Sequence, residues 1–235
     1  MAKGKFIVLE GLDGSGITTQ TELLRTWCQG NSIPVAVTKE PSDGPVGGMI
    51  KWALRHELVG MPEEALALMF AADRRHHITR EIRPALRKGA AVICDRYVLS
   101  SYAYQLVGVK DLTWLREINS KCPNPDLTVF LDVAPEQCLQ RMKSDAWRGL
   151  DKLQLYERLS QLEATRRNFL EVIGILQQEG QNVVVVRGSD DAGAVHRSVV
   201  DVTAKLLGKT AARFKEPSKA GHLSLRMLAG ESAAR

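Results

Sequence analysis

The chain has 235 residues, of which 44% are hydrophobic and 25% are charged. These values are typical of a globular domain, and they exclude a fibrous repeat and a globally disordered chain. The formal net charge of +5 does not indicate a nucleic-acid-binding protein, because segment 209–235 alone carries six Lys or Arg and two Glu, a balance of 6 − 2 = +4. The rest of the chain is close to neutral, and we expect no nucleic-acid partner.

No segment is typical of a secreted or membrane protein. The first apolar run, residues 6–9, is followed by Glu10, which is too early for a signal peptide. No apolar stretch approaches the ~20 residues that cross a bilayer, so we expect a cytoplasmic protein without a membrane partner. The cysteines at positions 28, 94, 122 and 138 form no CxxC pair, which favours reduced structural thiols over a metal site.

Five short apolar runs predict β-strands, and longer segments with helical spacing lie between them. Several runs are apolar at consecutive positions, a pattern typical of strands that are buried on both faces of a parallel sheet. The alternation of strands and helices predicts an α/β fold, with a doubly wound five-stranded parallel sheet and helices on both faces. The predicted strands are residues 6–10, 35–38, 91–95, 127–133 and 183–187.

We expect one folded domain, residues 1–208. A long predicted helix, 151–177, precedes the last strand, and a closing helix, 192–207, follows it. Beyond Gly208 the sequence is basic, rich in small residues and only weakly periodic, which predicts a disordered tail over 209–235.

A glycine-rich loop follows the first predicted strand and precedes a helix. Its spacing from Gly11 to Gly16 is typical of a phosphate-binding loop, in which backbone N–H groups surround phosphate oxygens at a helix N-terminus. Thr18 lies where a hydroxyl binds magnesium, but Ile17 replaces the lysine that such loops direct at the β- and γ-phosphates. A turn that serves only tight packing is therefore an alternative. The candidate phosphate-binding residues are Gly11, Asp13, Gly14, Ser15, Gly16, Ile17, Thr18 and Thr19.

Polar side chains end four of the predicted strands, at Glu10, Thr38, Asp95 and Asp132. Ligands of open α/β sheets bind beyond the carboxyl ends of the strands, so these positions indicate a site at that edge, although solvated strand ends have the same pattern. Asp95 ends a strand that lies near Thr18 in this fold, and together they predict a Mg²⁺ site.

The segment from Asp95 to Gln105, DRYVLSSYAYQ, resembles the signature of the thymidylate kinase family, and so does LEGLDGSG, which begins at Leu9. Segments 38–41, 68–74 and 125–133 agree with the same family in order and spacing, and the resemblance extends from about Phe6 to Leu207. It implies transfer of a phosphoryl group from ATP to dTMP with Mg²⁺ as cofactor. It also implies a homodimer that pairs through helices beside the sheet.

Two residue pairs with helical i, i+4 spacing suit a nucleotide base. Phe70 and Arg74 share a helix face, so the ring can stack on a base while the guanidinium bonds the carbonyl edge of that base. A core position for Phe70 is the alternative. Ser101 and Gln105 repeat the spacing. The resemblance implies that Phe70, Arg74 and Gln105 hold thymine, with Ser101 nearby.

The resemblance also points to residues for the acceptor phosphate and the sugar. It implies that Arg96 binds the monophosphate with Lys39 and Lys51, which stand where arginine is more usual and lack its bidentate fork. Asp13 resembles the acid that accepts from the deoxyribose 3′-hydroxyl, although an Asp in a glycine turn often bonds its own backbone. The candidate dTMP-binding residues are Asp13, Lys39, Glu40, Lys51, Phe70, Arg74, Arg96, Ser101 and Gln105.

The catalytic cation is expected in a lid. Phosphoryl transfer depends on positioning and charge stabilisation, and family members carry an arginine either in the phosphate loop or in a mobile lid. Gly14 occupies the loop position, so the resemblance implies the lid type, with the lid at about 142–150. Arg148 is the candidate there, with Arg141 and Lys143 as alternatives. The candidate catalytic residues are Arg148, Asp95 and Arg96.

Two other functions remain open at the level of sequence. Ile17 is compatible with a regulatory nucleotide-binding protein without useful kinase activity. Such a protein would not need to retain the set Asp13, Thr18, Asp95, Arg96 and Arg148. A kinase of another pyrimidine monophosphate would have the same fold, and the sequence separates dTMP from dUMP poorly.

Overall fold

A computed structural model describes residues 3–55, 61–142 and 152–210 of the chain. Within these residues five strands form one sheet in the order β2-β3-β1-β4-β5, and every neighbouring pair is parallel. The strands are β1 (Phe6–Gly11), β2 (Val35–Lys39), β3 (Ala91–Asp95), β4 (Leu127–Asp132) and β5 (Val183–Arg187). The predicted α/β fold is confirmed, and no strand end differs from its predicted position by more than one residue.

Helices connect the strands and follow the last of them. They are α1 (Ile17–Gly30), α2 (Pro45–Arg55), α3 (Glu63–His77), α4 (Arg83–Arg87), α5 (Val98–Val109), α6 (Leu112–Ile118), α7 (Pro135–Met142), α8 (Lys152–Gln178) and α9 (Ala192–Leu206), and a π-helical turn, Ile78–Ile82, joins α3 to α4. None of the described helices is long and apolar enough to span a membrane.

Alternate residues of the central strands pack on opposite faces of the sheet, as a strand with helices on both sides requires. In β4, Val129 and Leu131 join an apolar cluster that includes residues of α1 and α9. Phe130, between them, joins a second cluster with residues of α5 and α8. The consecutive apolar residues of β4 therefore contribute to two apolar clusters, one on each face of the sheet.

The pairing of β1 with β3 positions the carboxyl ends of both strands side by side. Leu9 is level with Asp95 in this pair, and the backbone N–H of Arg96 donates to the Leu9 carbonyl at 2.9 Å. The Glu40 N–H donates to the Asp95 carbonyl at 3.0 Å, so the chain leaving β2 meets the same edge. Three segments that are distant in sequence thus converge where ligands of such sheets bind.

Glu10, near the end of β1, is buried and holds the start of α5. Its Oε1 accepts from the backbone N–H groups of Tyr97 at 2.9 Å and Ser100 at 3.2 Å, and its Oε2 accepts from the Ser100 hydroxyl at 2.5 Å. Burial raises the pKa of this carboxyl from 4.5 to about 7, although the hydrogen bonds and Arg96 oppose the shift. Glu10 is therefore an internal anchor of α5 and not a solvated strand end.

Phe169 of α8 is central to the core on the α5 face, and its loss should destabilise the protein strongly. The ring is fully buried, with its centroid 4.9 Å from that of Phe130 and 5.8 Å from that of Tyr104. Phe169→Ala should lower the free energy of unfolding, measured by urea denaturation, by ~3–5 kcal/mol because it leaves a cavity. Leu170→Ala, at the exposed next position, is the control and should cost less than ~1 kcal/mol. Equal losses for the two variants would contradict this packing.

Glu10 should make the stability of the protein fall as the pH rises. Between pH 4.5 and about 7 the folded state keeps a proton on Glu10 that the unfolded chain releases. The free energy of unfolding should therefore decrease across this window, by on the order of 3 kcal/mol at 1.36 kcal/mol per pKa unit. Glu10→Gln should flatten this dependence in urea denaturations at pH 5 and pH 8. Glu22→Gln, at a half-exposed carboxyl of α1 that pairs with Arg25, is the control. An unchanged slope for Glu10→Gln would contradict the assignment.

Candidate functional site

Two cavities lie next to each other at the carboxyl edge of the sheet. The first has a volume of about 470 Å³ and is lined by the glycine-rich loop and the start of α1. The second has a volume of about 650 Å³ and lies between α3, α5 and α8. Asp13, Glu40 and Arg96 line both cavities, so ligands in the two spaces would meet at these residues.

The glycine-rich loop has the backbone geometry of an anion-binding turn. Gly14 and Gly16 have φ angles of 80° and 96°, in the left-handed region that glycine adopts at low cost. A Cβ at Gly14 would lie 2.5 Å from the Cys138 carbonyl oxygen of α7, so the loop and α7 are closely packed. The loop leads directly into the N-terminus of α1, where free N–H groups favour phosphate oxygens.

Ile17 contributes only its backbone to this loop. Although it borders the first cavity, its side chain is buried and packs with Leu9 and Leu24 in the core on the α1 face. A cation from α7 contacts the loop near this position. Arg141 lines the same cavity, and its guanidinium donates to the carbonyls of Ser15 and Gly188, both at 3.2 Å.

Thr18 and Asp95 form a pair of oxygen donors beside the loop. The Thr18 hydroxyl donates to Asp95 Oδ2 at 2.6 Å, and both residues line the first cavity, as does Thr19. Burial raises the pKa of the Asp95 carboxyl, while the bond from Thr18 opposes the shift. Carboxylate and hydroxyl oxygens at a phosphate loop are the ligands that Mg²⁺ prefers, so these residues fit that ion.

Arg96 lies at the junction of the two cavities and is held from several sides. Its Nη1 donates to the Gly11 carbonyl at 2.9 Å and to the Ser100 hydroxyl at 3.2 Å, and its Nη2 donates to Asp13 Oδ1 at 2.7 Å. The guanidinium carbon lies 5.2 Å from the centre of the Tyr104 ring. The φ angle of Arg96 is 70°, a left-handed conformation that a side chain adopts at a cost and that is often found at functional sites.

Arg74 forms part of the wall of the second cavity and is nearly fully bonded. Its side chain is 1% exposed, and its Nε donates to Glu40 Oε2 at 2.7 Å. Its Nη2 donates to the Ser101 hydroxyl at 2.9 Å and to the Tyr97 carbonyl at 3.3 Å, and its Nη1 donates to Asn119 Oδ1 at 2.5 Å. Among the described residues, four of its five N–H groups have acceptors, which leaves one on Nη1.

Gln105 provides the complementary acceptor. It lies one helical turn beyond Ser101 on α5 and lines the second cavity with the half-buried Phe70. Gln105 is 7% exposed, and its buried Oε1 has no hydrogen-bond partner within the described residues. The second cavity therefore has a donor on Arg74, an acceptor on Gln105 and an aromatic ring.

The two candidate lysines differ in position. Lys39 lines the first cavity, with a side chain that is 58% exposed. Lys51 lines neither cavity, because its ammonium donates to the Ser42 carbonyl at 2.8 Å and to Asp43 Oδ1 at 2.6 Å. The structure therefore brings Lys39, but not Lys51, to the site. Arg148 and Lys143, together with almost all of the expected lid, lie outside the described residues.

The contacts of several residues around Arg74 and Arg96 could not be predicted from the sequence. Tyr104 belongs to the segment from Asp95 to Gln105 that resembles the family signature, but only the fold puts its ring against Arg96. His77 Nδ1 lies 3.1 Å from Glu40 Oε1, and its Nε2 lies 2.6 Å from the Thr38 hydroxyl. Asn119 is 45 residues from Arg74, the side chain that it contacts. The polar Thr38, one residue before the end of β2, was the only local signal for the contacts of His77.

The family model described as "Thymidylate kinase" matches residues 9–199. A "Probable thymidylate kinase" from Pyrococcus abyssi is 38% identical over 212 residues, which cover 88% of this chain and 99% of that protein. A "Thymidylate kinase" from Clavibacter sepedonicus is 39% identical over 199 residues, 81% of this chain and 88% of that protein. A "Probable thymidylate kinase" from Pyrococcus horikoshii is 47% identical over 145 residues, 60% of this chain and 71% of that protein. The family-model match includes the phosphate loop, the Asp95–Arg96 turn and the residues that line both cavities. Together with these relatives it shows that the chain belongs to the thymidylate kinase family.

Proposed function

We propose that the protein transfers the γ-phosphoryl group of ATP to dTMP and so forms dTDP and ADP, a step of dTTP synthesis. The observation that supports this most directly is the meeting of two cavities at Asp13, Glu40 and Arg96, one with a phosphate loop and one with groups suited to a base. A donor and an acceptor nucleotide bound in these cavities would have their phosphates at the shared residues.

The free polar groups of the second cavity favour thymine and uracil over cytosine. Thymine has a carbonyl oxygen at position 4 and an N–H at position 3, which match the remaining N–H of Arg74 and the unpaired Oε1 of Gln105. Cytosine has an amino group and an unprotonated nitrogen at these positions, so that both contacts would be mismatched. Phe70 provides a ring for stacking. This selection does not separate dTMP from dUMP.

The acceptor in this reaction is a phosphate oxygen of dTMP. With a second pKa of about 6, it is deprotonated at neutral pH and requires no general base. Its bond to the γ-phosphorus forms as the bond to the β-phosphate oxygen breaks, and ADP leaves. The task of the protein is to align the two groups and to offset the charge on the transferred phosphoryl.

The residues at the junction suit this alignment. Arg96 is held in position to bind the acceptor phosphate, with Lys39 on the open side of the first cavity. Asp13 is paired with Arg96 and partly exposed, which suits an acceptor for the sugar 3′-hydroxyl. Thr18 and Asp95 would hold Mg²⁺, which when bound neutralises charge on the β- and γ-phosphates.

The missing loop lysine requires another cation on the donor phosphates. Arg141 is the described residue best placed to provide it, because it borders the first cavity and contacts the loop at the Ser15 carbonyl. Arg148 remains a candidate for the transition-state cation in a lid over 142–150. A regulatory protein without activity is not favoured, because it would not need this arrangement of Arg141, Thr18 and Asp95 around the loop.

We further propose a cytoplasmic homodimer in which residues 1–208 form the kinase domain and 209–235 form a tail outside the active site. Exposed apolar side chains on neighbouring helices support pairing. They are Met49 of α2 and Leu68 of α3, whereas Leu54 of α2 is exposed but lines the second cavity. Side chains of this size in one region are more typical of an interface than of a monomer surface.

Wild-type turnover with different acceptors tests the proposed function. In a coupled ADP-release assay with Mg-ATP, dTMP and dUMP should be phosphorylated, and dCMP should give at least ~10²-fold lower kcat/KM because both base contacts are mismatched. Asp95→Asn is the negative control. Wild-type activity no higher than that of Asp95→Asn would remove the kinase assignment, and equal rates with dCMP would remove the proposed base contacts.

Arg141→Met should lower kcat/KM for ATP by ~10²-fold, since a positioned donor to developing phosphate charge contributes a few kcal/mol. Arg187→Met, at an exposed arginine near the same edge of the sheet, should change it less than ~2-fold. Adding Ile17→Lys to Arg141→Met should restore part of the activity. If Arg141→Met has no effect, the donor phosphates do not depend on this cation.

A further inference from the structure

Asn119 connects the end of α6 to the base-binding wall of the second cavity. It is 3% exposed and follows the last residue of α6 as its C-cap. Its Oδ1 accepts from Arg74 Nη1 at 2.5 Å, and its Nδ2 donates to the Leu115 carbonyl at 2.8 Å. Because the amide oxygen of Asn119 faces a donor and its amide nitrogen faces an acceptor, these two hydrogen bonds determine the orientation of the amide.

The contact from Asn119 falls on the nitrogen of Arg74 that carries the remaining N–H. Glu40 holds Nε, and Ser101 and the Tyr97 carbonyl hold Nη2, so Asn119 completes the third corner of the guanidinium. The two N–H bonds of Nη1 lie in one plane about 120° apart. With one directed at Asn119 Oδ1, the direction of the other is fixed.

We propose that Asn119 is a positioning residue for base selection, which directs the free N–H of Arg74 at the carbonyl in position 4 of the pyrimidine. The proposal rests on the proposed function, because it assigns to Asn119 the discrimination between a 4-oxo and a 4-amino pyrimidine in that site. Without Asn119, Nη1 has two N–H groups without acceptors among the described residues. The guanidinium then keeps its contacts to Glu40, Ser101 and the Tyr97 carbonyl but loses the one at Nη1. The direction of its free N–H is less closely defined, and the site's preference for a 4-carbonyl over a 4-amino group falls.

A capping role alone would be the simpler explanation of Asn119, and the chain contains a matched control for it. Asn31 is the C-cap of α1, and its Nδ2 donates to the Trp27 carbonyl at 2.8 Å, four residues back, as Asn119 does to Leu115. Asn31 lines neither cavity. Asn31→Ala therefore removes the same local hydrogen bond without removing a contact to Arg74.

The test is the affinity for dTMP and for dCMP, measured by titration calorimetry without ATP on wild type, Asn119→Ala, Asn119→Asp and Asn31→Ala. Asn119→Ala should weaken dTMP binding about 10-fold and should change dCMP binding less than about 2-fold, so that the ratio of the two dissociation constants falls. Asn119→Asp keeps an acceptor for Nη1 and should keep most of the ratio. Asn31→Ala should keep the full ratio, even if its melting temperature falls as far as that of Asn119→Ala.

The outcomes separate the two proposals. If wild type binds neither nucleotide, the proposed function fails. If wild type prefers dTMP and Asn119→Ala keeps the same ratio, only the role of Asn119 is overturned. If the alanine variant is unfolded at the assay temperature, Asn119→Leu, which has nearly the same volume and no acceptor, takes its place beside Asn119→Asp. Equal ratios for the Leu and Asp variants would then overturn the role.

Discussion

The parallel pairing of β1 with β3 is the constraint on which the site depends. Because Leu9 is level with Asp95, the loop after β1 and the Asp95–Arg96 turn after β3 begin side by side at the carboxyl edge of the sheet. The Thr18 to Asp95 hydrogen bond and the Arg96 to Gly11 hydrogen bond both span this pair of exits. A shift of one residue in this register would point the side chain of Asp95 to the opposite face and break both contacts.

Buried charge is the second constraint, and it explains why so many polar residues surround Arg74. A guanidinium that is removed from water is stable only when its charge and its N–H groups are satisfied. Glu40 supplies the charge, and Ser101, Asn119 and the Tyr97 carbonyl supply acceptors. Glu40 is in turn held by His77. The rigidity that results is useful for selecting a base, because a mobile guanidinium would adapt to either kind of edge.

The sequence predicted the sheet almost to the residue because its strands are buried on both faces and therefore apolar throughout. It also predicted that Thr18 lies near Asp95 and that Phe70, Arg74 and Gln105 share one pocket, since each belongs to a short motif with fixed spacing. The structure brings these residues together, and their roles in binding stay predictions. It could not predict that Asp43 holds Lys51 away from the cavities, or that Asn119 holds Arg74. These contacts join segments whose relative positions depend on the packing of helices. The charge of a side chain alone does not reveal which residue it will contact.

The close packing of α7 against the phosphate loop has a consequence for how the nucleotide is held. In a phosphate loop with its own lysine, the positive charge and the backbone N–H groups belong to one segment. Their relative position does not depend on the surrounding helices. Here the backbone belongs to the loop, whereas the cation, Arg141, belongs to the last turn of α7, whose Cys138 carbonyl lies against Gly14. In the proposed role of Arg141, the electrostatic attraction for the donor nucleotide therefore depends on the contact between the loop and α7. A displacement of α7 by a few ångströms would weaken this attraction without any change in the loop itself.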